Sequence, residues 1–296
     1  MRWVAWNKIQ TAKRWGGLGL GEIRSLNWAL LWKWKWRFNT YPDQLWALVI
    51  KAIHDNHRGA QDIPVNNNLA GIWKDILAVD KDLRKTGVTT TEDMGMEGGE
   101  DDQKTFSTAK FRSQVEEQIG EKINVGRFKW NNWIPKKITY FAWRLLLGCI
   151  PSKGAMVHRG INIGDTTCGL CGYGTETTDH LAASCIMVKA IWWHIHVWLK
   201  IPFHGSATSG DDILEDLHKH NGSYQWKKVL EVVMFTTWWR IWKARNELIF
   251  ERVPFSVIKV VEAIKEDAFV WLNHRSPIGN LDWERWCEFN LRDVFV

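Results

Sequence analysis

The sequence predicts a mainly α protein with little β structure, built as small helical domains around a knuckle of three cysteines and one histidine. Three observations lead there. Apolar residues recur at helical spacing through long stretches punctuated by Pro, Gly and Ser. Cys168, Cys171, His180 and Cys185 stand at C-x2-C-x8-H-x4-C, a spacing that closes a small loop without an apolar core. The 296 residues are 45% apolar and include 22 tryptophans, large anchors that suit two small cores.

Along the chain, Gly16-Gly17-Leu18-Gly19-Leu20-Gly21 reads as a flexible turn into a helix. It is neither G-x-G-x-x-G nor a phosphate loop ending in Gly-Lys-Ser/Thr. Ser25 to Phe38 and Pro42 to His54 form a helical pair broken at Thr40 to Pro42. On the first helix Trp28, Leu31, Trp32 and Lys35 share one side, which makes the rings core anchors. The run Trp32-Lys33-Trp34-Lys35-Trp36-Arg37 also interleaves cations with rings as phosphate contact and base stacking would, so Lys33, Lys35 and Arg37 are candidate nucleic-acid contacts. Residues 55 to 105 are polar and acidic, and Asp101-Asp102 within them reads as a solvated loop.

Thr108 to Lys122 is an amphipathic helix with Phe111, Val115 and Ile119 at four-residue spacing. Residues 123 to 133 alternate as a strand does, and Pro135 then precedes a helix through Leu147. Ser152 caps a small helix leading to the knuckle. After Cys185 a helix runs to Leu199, with Ile191, Trp192 and Ile195 against the cysteine loop. His194 and His196, two apart on that helix, point in different directions and do not readily share a metal. Asp211-Asp212 marks a helix N-terminus. A long apolar pattern spans Trp226 to Phe250, Pro254-Phe255-Ser256 stops it and caps an antiparallel helix through Arg275, and Trp283, Trp286 and Phe289 lie on a last short helix.

The four knuckle residues have one simple reading. Two thiolates two residues apart grip one metal from a single turn, and an imidazole and a third thiolate complete a tetrahedron, the shell that Zn2+ prefers. Gly169, Gly172 and Gly174 let the backbone fold tightly, and Thr175 to Asp179 supply a polar turn before His180. Four protein ligands leave no place for water, so the single zinc is structural. A zinc deaminase would need H-x-E, whereas Leu181 and Ala182 follow His180.

Around this cluster the order of motifs is specific. Pro135-Lys136-Lys137-Ile138-Thr139-Tyr140-Phe141-Ala142-Trp143-Arg144-Leu145-Leu146, Ile150-Pro151-Ser152-Lys153 and His158-Arg159-Gly160-Ile161 precede the cysteines, and Ile191-Trp192 follows them. This succession resembles the zinc-binding domain that follows the reverse transcriptase in plant non-LTR retrotransposons of the LINE type. Trp6-Asn7-Lys8, Gly16-Gly17-Leu18-Gly19 and Asn27 to Trp34 resemble the segment after the polymerase thumb in the same elements, and Trp242-Lys243-Ala244-Arg245-Asn246 their C-terminal tail. The resemblance implies four segments: a basic, Trp-rich connection over 1–60, an acidic linker over 61–107, the zinc-binding domain over 108–200 and a helical tail over 201–296. The expected function is that of a zinc-binding, nucleic-acid-binding accessory segment of an RNA-directed DNA polymerase.

Polymerase chemistry needs two metals on paired aspartates at a strand turn. Neither Asp101-Asp102 nor Asp211-Asp212 follows an aromatic strand, so no catalytic residue and no enzymatic activity is expected of these residues. Charge agrees with a binding role. The net charge is +6, yet residues 1–60 and 122–200 each hold ten Lys or Arg against three Asp or Glu. Lys129, Lys136, Lys137, Arg144, Lys153 and Arg159, around the knuckle, are the further candidate contacts for RNA or single-stranded DNA, bound without sequence preference. A reverse transcriptase supplied in trans is the other expected partner. The alternatives are a zinc-stabilised protein-interaction module working through exposed tryptophans, or an inert fragment of a decayed element. No apolar run approaches a membrane span and no secretory signal opens the sequence, so an intracellular location, nuclear or cytoplasmic, is expected. Cys149 and Cys287, left over from the cluster, suit a reducing compartment.

Overall fold

The computed structural model describes residues 3–53, 71–90, 93–97, 105–120, 123 and 128–290. Two compact units divide the chain: Ala5–Asn124, and Val125–Val296 together with Met1–Val4. Both are helical, and the one sheet among the described residues is a pair of two-residue strands.

In the first unit α1 (Trp6–Gln10) and a tight turn (Lys13–Trp15) lead into α2 (Ile23–Thr40). The glycine run makes that entry. Gly19 and Gly21 take φ of 71° and 70°, and their amides donate to Thr11 O and Gln10 O at 2.8 and 2.9 Å, folding the chain back on α1. After α3 (Leu45–Ile53) come α4 (Ile72–Lys85), the antiparallel pair β1 (Met96–Glu97) and β2 (Thr105–Phe106), and α5 (Thr108–Ile119), capped by the Ser107 hydroxyl. α2 packs on both α4 and α5, around Trp28, Val79, Leu83, Phe106, Phe111 and Val115.

Residues read from their acidity as a linker thus contain a core helix. α4 buries Trp73, Ile76, Val79 and Leu83, spaced three, three and four apart on one face, while Asp75 and Lys81 face water. α5 packs within the same unit, so the packing units group the chain differently from the four segments expected. His54, Asp101-Asp102 and Lys122 lie outside the described residues.

The second unit holds α6 (Lys136–Leu146), α7 (Lys153–His158), a wide turn (His180–Ser184), α8 (Ile186–Leu199), α9 (Gly210–Lys219), α10 (Tyr224–Asn246), α11 (Val257–Arg275) and α12 (Trp283–Cys287). α10 is the pillar. It is buried continuously from Val229 to Trp238, with α11, α6, α9 and the wide turn packed around it. A helix buried on all sides needs its polar groups satisfied. The Thr236 and Thr237 hydroxyls do so by donating to Val232 O and Val233 O at 2.6 and 2.8 Å. Arg240 and Asp267, about equally far from the Pro254 turn, pair through two 2.6 Å bonds, as antiparallel α10 and α11 require. Trp286 is fully buried and donates to Lys265 O at 2.9 Å, tying α12 to α11.

The expected caps form at Ser152 and Ser256, whose hydroxyls accept from Ala155 N and Lys259 N. The Ser209–Asp212 capping box opens α9 at the expected acidic N-terminus. One expectation fails: no strand forms at residue 123 or over 128–133, and 124–127 lie outside the described residues. The segment spends its groups on α10 instead. Phe128 stacks on Phe235 at 5.5 Å, and the Asn131 amide donates to Lys228 O and Glu231 Oε2. Among the described residues no helix is long and apolar enough to cross a membrane.

Leu83→Ala, at a fully buried position in α4, is expected to cost about 2–5 kcal/mol. Urea unfolding followed by tryptophan fluorescence measures it, and an unchanged midpoint would mean that α4 is not part of a core.

Candidate metal centre

The four knuckle residues arrive on two short pieces of backbone. The first is a hairpin in which Thr167 pairs with Thr175, Cys168 N donates to Gly174 O at 2.9 Å and Gly172 N to Cys168 O at 2.9 Å. Its tip needs left-handed residues, and Gly172 and Gly174 take φ of 72° and 64°. The second is the wide turn His180–Ser184, closed by Cys185 N donating to His180 O five residues back at 2.9 Å. In an ordinary α-helix residues five apart point about 140° away from each other. The wider i→i+5 turn reduces that divergence, so H-x4-C can serve one ion.

The ligand atoms of Cys168, Cys171, His180 and Cys185 all lie within 4.8 Å of one another, and Cys171 Sγ is 3.4 Å from His180 Nε2. A tetrahedron with zinc–sulfur bonds of about 2.3 Å has edges of about 3.8 Å, so small side-chain movements close this shell. Cys168 and Cys185 are buried, and Cys171 and His180 half-buried. A hydrogen bond with the Cys185 thiol holds Cys168 well below the ordinary thiol range, and the Cys171 and Leu170 amides assist. The same contact, with burial, pushes Cys185 up. Two buried sulfurs that resist ionising together are stabilised by a shared dication. Three sulfurs and an imidazole with no open position fit one structural Zn2+.

The surrounding residues fix the two pieces to the core. Ala182 O, inside the wide turn, accepts from both Trp192 Nε1 (2.9 Å) and Trp238 Nε1 (3.2 Å). Glu176, directly after the hairpin, is fully buried and accepts from Lys153 N at 3.0 Å, at the start of α7. Its carboxylate pairs with Arg245 of α10, which is 2% exposed, with Nε 3.2 Å from both oxygens. Arg245 in turn lies over Trp242 at 5.0 Å. Sequence reasoning placed Arg245 in a tail motif and Glu176 in a polar turn, but missed that they meet. No local signal marked the pair, since Arg245 is one of several charged residues on α10, with Glu231, Arg240 and Lys243.

The expected nucleic-acid contacts divide. Lys129, Lys136 and Lys137 are exposed, with the Lys137 ammonium 5.7 Å from the Trp239 ring. The other three near the knuckle are engaged internally. Arg144 donates twice to Cys149 O, Lys153 donates to Thr167 O at 2.8 Å, and Arg159 donates to Trp3 O at 2.9 Å over the Trp3 ring. On α2, Lys35 is buried in an ion pair with Asp80, while Lys33 and Arg37 are half-buried. Trp32 packs on Phe111 and Trp36 on Phe106, leaving only Trp34 of the three rings exposed. His196 is in the core, its Nδ1 2.8 Å from Trp192 O, and burial lowers its pKa. Lys228, which sequence reasoning passed over, reaches Asn132 Oδ1 and lies over Trp133 and Tyr224.

Residues 104–192 match the family model for zinc-binding in reverse transcriptase. The match includes all four ligands and stops short of Arg245. No curated protein and no solved structure matches the chain. The matched residues and the Cys3His geometry both fit a zinc-binding domain of the reverse-transcriptase type.

Cys171→Ser is expected to lower bound zinc well below one ion per chain and to destabilise the second unit, since metal binding contributes directly to folding. Elemental analysis and thermal melting with and without chelator check this, and an unchanged melt with full zinc would refute it. Glu176→Gln, which leaves the buried Arg245 charge uncompensated, is expected to cost about 3–5 kcal/mol. Denaturation of the zinc-saturated variant measures that loss, and a shift under 1 kcal/mol would make the pair dispensable.

Proposed function

Starting from a reverse-transcriptase-type zinc-binding region, we propose that the chain is a nucleic-acid-binding accessory segment of a retrotransposon reverse transcriptase, of the LINE type its motifs resemble. It contributes grip rather than chemistry. The zinc holds the hairpin and the wide turn in place, and the polymerase it serves acts on the strand that this segment retains.

The observation that carries this reading is the family match over a closed Cys3His shell in a unit with exposed, uncommitted lysines. Lys136 and Lys137 open α6, Lys129 precedes them, and Trp239 lies under the Lys137 ammonium. Cations beside rings suit single strands, where phosphates take the charge and bases the stacking. Nothing in that arrangement reads a base edge, so binding without sequence preference is the corresponding expectation.

Fluorescence anisotropy with labelled single-stranded RNA and DNA, titrated across salt concentrations, tests the proposal. Binding should weaken linearly in log–log form, and the Lys136→Ala/Lys137→Ala variant should lose roughly 1.4 from the slope, at about 0.7 per phosphate contact. Absence of binding at low salt would leave a zinc-stabilised interaction module or an inert fragment. A slope unchanged in the variant would move the contact elsewhere.

A further inference from the structure

The packing of the first unit leaves an open cleft of about 350 Å³ among α1, the Lys13–Trp15 turn, the start of α2 and α5. That volume lies in the range of small-molecule sites. Its walls are fixed without a ligand. Glu116 Oε1 accepts from Glu22 N at 3.1 Å and from Arg112 Nε at 2.8 Å, and Ile123 N donates to Trp15 O at 2.9 Å.

The lining groups that the fold does not use describe the ligand. Trp28 is 6% exposed, yet its indole N–H, like that of half-buried Trp15, meets no acceptor among the described residues. A donor on so deeply packed a ring is normally satisfied inside the fold, and here it is left for what enters the cleft. Lys8 and Arg24 pair with no carboxylate among the described residues, and Arg24 lies over the Trp28 ring at 5.7 Å. Glu22 and Glu116 each keep one oxygen open, since Ser25 donates to Glu22 Oε2 and both donors to Glu116 reach Oε1.

We propose that the cleft binds a nucleoside monophosphate whose base carries an amino group, as a free nucleotide or as the 5′ end of a single strand. The two cations take the phosphate, and the rings with the Arg24 guanidinium give the base flat surfaces to stack on. The indole N–H groups reach acceptors on the base, and the open carboxylate oxygens take its amino hydrogens. Inorganic phosphate fits poorly because it leaves the rings and the acids unused. A polyamine fits poorly because guanidiniums already lie over both rings, Arg14 over Trp15 at 4.8 Å and Arg24 over Trp28, and Lys8 adds to the repulsion. The site belongs wholly to the first unit and does not rest on Lys136 and Lys137.

Isothermal titration calorimetry of the zinc-loaded full chain with GMP, CMP, UMP, inorganic phosphate and spermine tests this. GMP and CMP are expected to bind at one site, roughly tenfold more tightly than UMP, which has no amino group. Arg24→Ala, at an exposed position, should weaken both at least tenfold, and Glu22→Gln should remove the preference over UMP. Circular dichroism verifies that both variants fold. UMP bound as tightly as GMP, phosphate or spermine bound as tightly as GMP, binding indifferent to both variants, or no heat with any nucleotide at millimolar concentration would overturn the proposal. The Lys136→Ala/Lys137→Ala background keeps the test separate from the strand contact proposed on α6. There, a single strand with a 5′-phosphorylated guanosine that binds like GMP marks a free-nucleotide site, and one that binds at least tenfold more tightly marks a strand-end site.

Discussion

The wide turn at His180–Ser184 is the constraint on which the second unit depends. It brings a histidine and a cysteine five residues apart toward one ion, and it does so at a cost: a turn wider than an α-helix cannot satisfy all its carbonyls internally. Ala182 O is buried, and the indoles of Trp192 and Trp238 both donate to it. One of these comes from the helix that follows the turn and the other from the pillar α10. The polar group exposed by the metal geometry is therefore also the point where α8, α10 and the ligand turn are held together.

A second link runs through charge. Glu176 and Arg245 have almost no exposure, and burying an ion pair carries a desolvation penalty that Coulomb attraction only partly offsets. What the pair supplies is position. Glu176 is bonded to the Lys153 amide and to Arg245, so the end of the hairpin, the start of α7 and the end of α10 share one carboxylate. The Cys168–Cys171 hairpin is anchored there, and the His180–Cys185 turn is anchored by the indoles. Zinc then joins two pieces that the core already holds near each other.

Much of this was legible from residues alone. The ligands were readable because metal spacing is a local property of sequence, α8 because its apolar period is local too, and the Ser152 and Ser256 caps of α7 and α11 for the same reason. α4 was missed for a different reason. Its residues lie in an acidic stretch, and composition averaged over fifty residues hid Trp73, Ile76, Val79 and Leu83 on one helical face. The alternation at 123–133 misled because period two signals a strand only where a neighbouring strand is available, and here Phe128 and Asn131 find α10. The Glu176–Arg245 pair could not be read at all, since it joins residues 69 apart that only the fold brings together.

Cations show why a charge count by segment overstates a binding surface. Residues 122–200 hold ten bases, but Arg144, Lys153 and Arg159 are spent on carbonyls at Cys149, Thr167 and Trp3. Each of those bonds ties down a loop that has no regular partner of its own, a structural use for which a long cationic side chain is well suited. Lys35 is likewise spent on Asp80, inside the face that α2 turns toward α4. What remains exposed around the zinc shell is a smaller set, Lys129, Lys136 and Lys137. Of these only Lys137 lies beside a ring, 5.7 Å from Trp239, while on α2 Arg24 lies over Trp28 and Arg37 over Trp34. Whether a cation is free is thus set by whether a loop carbonyl or a carboxylate brought near by the fold has already claimed it, which a count along the sequence does not register.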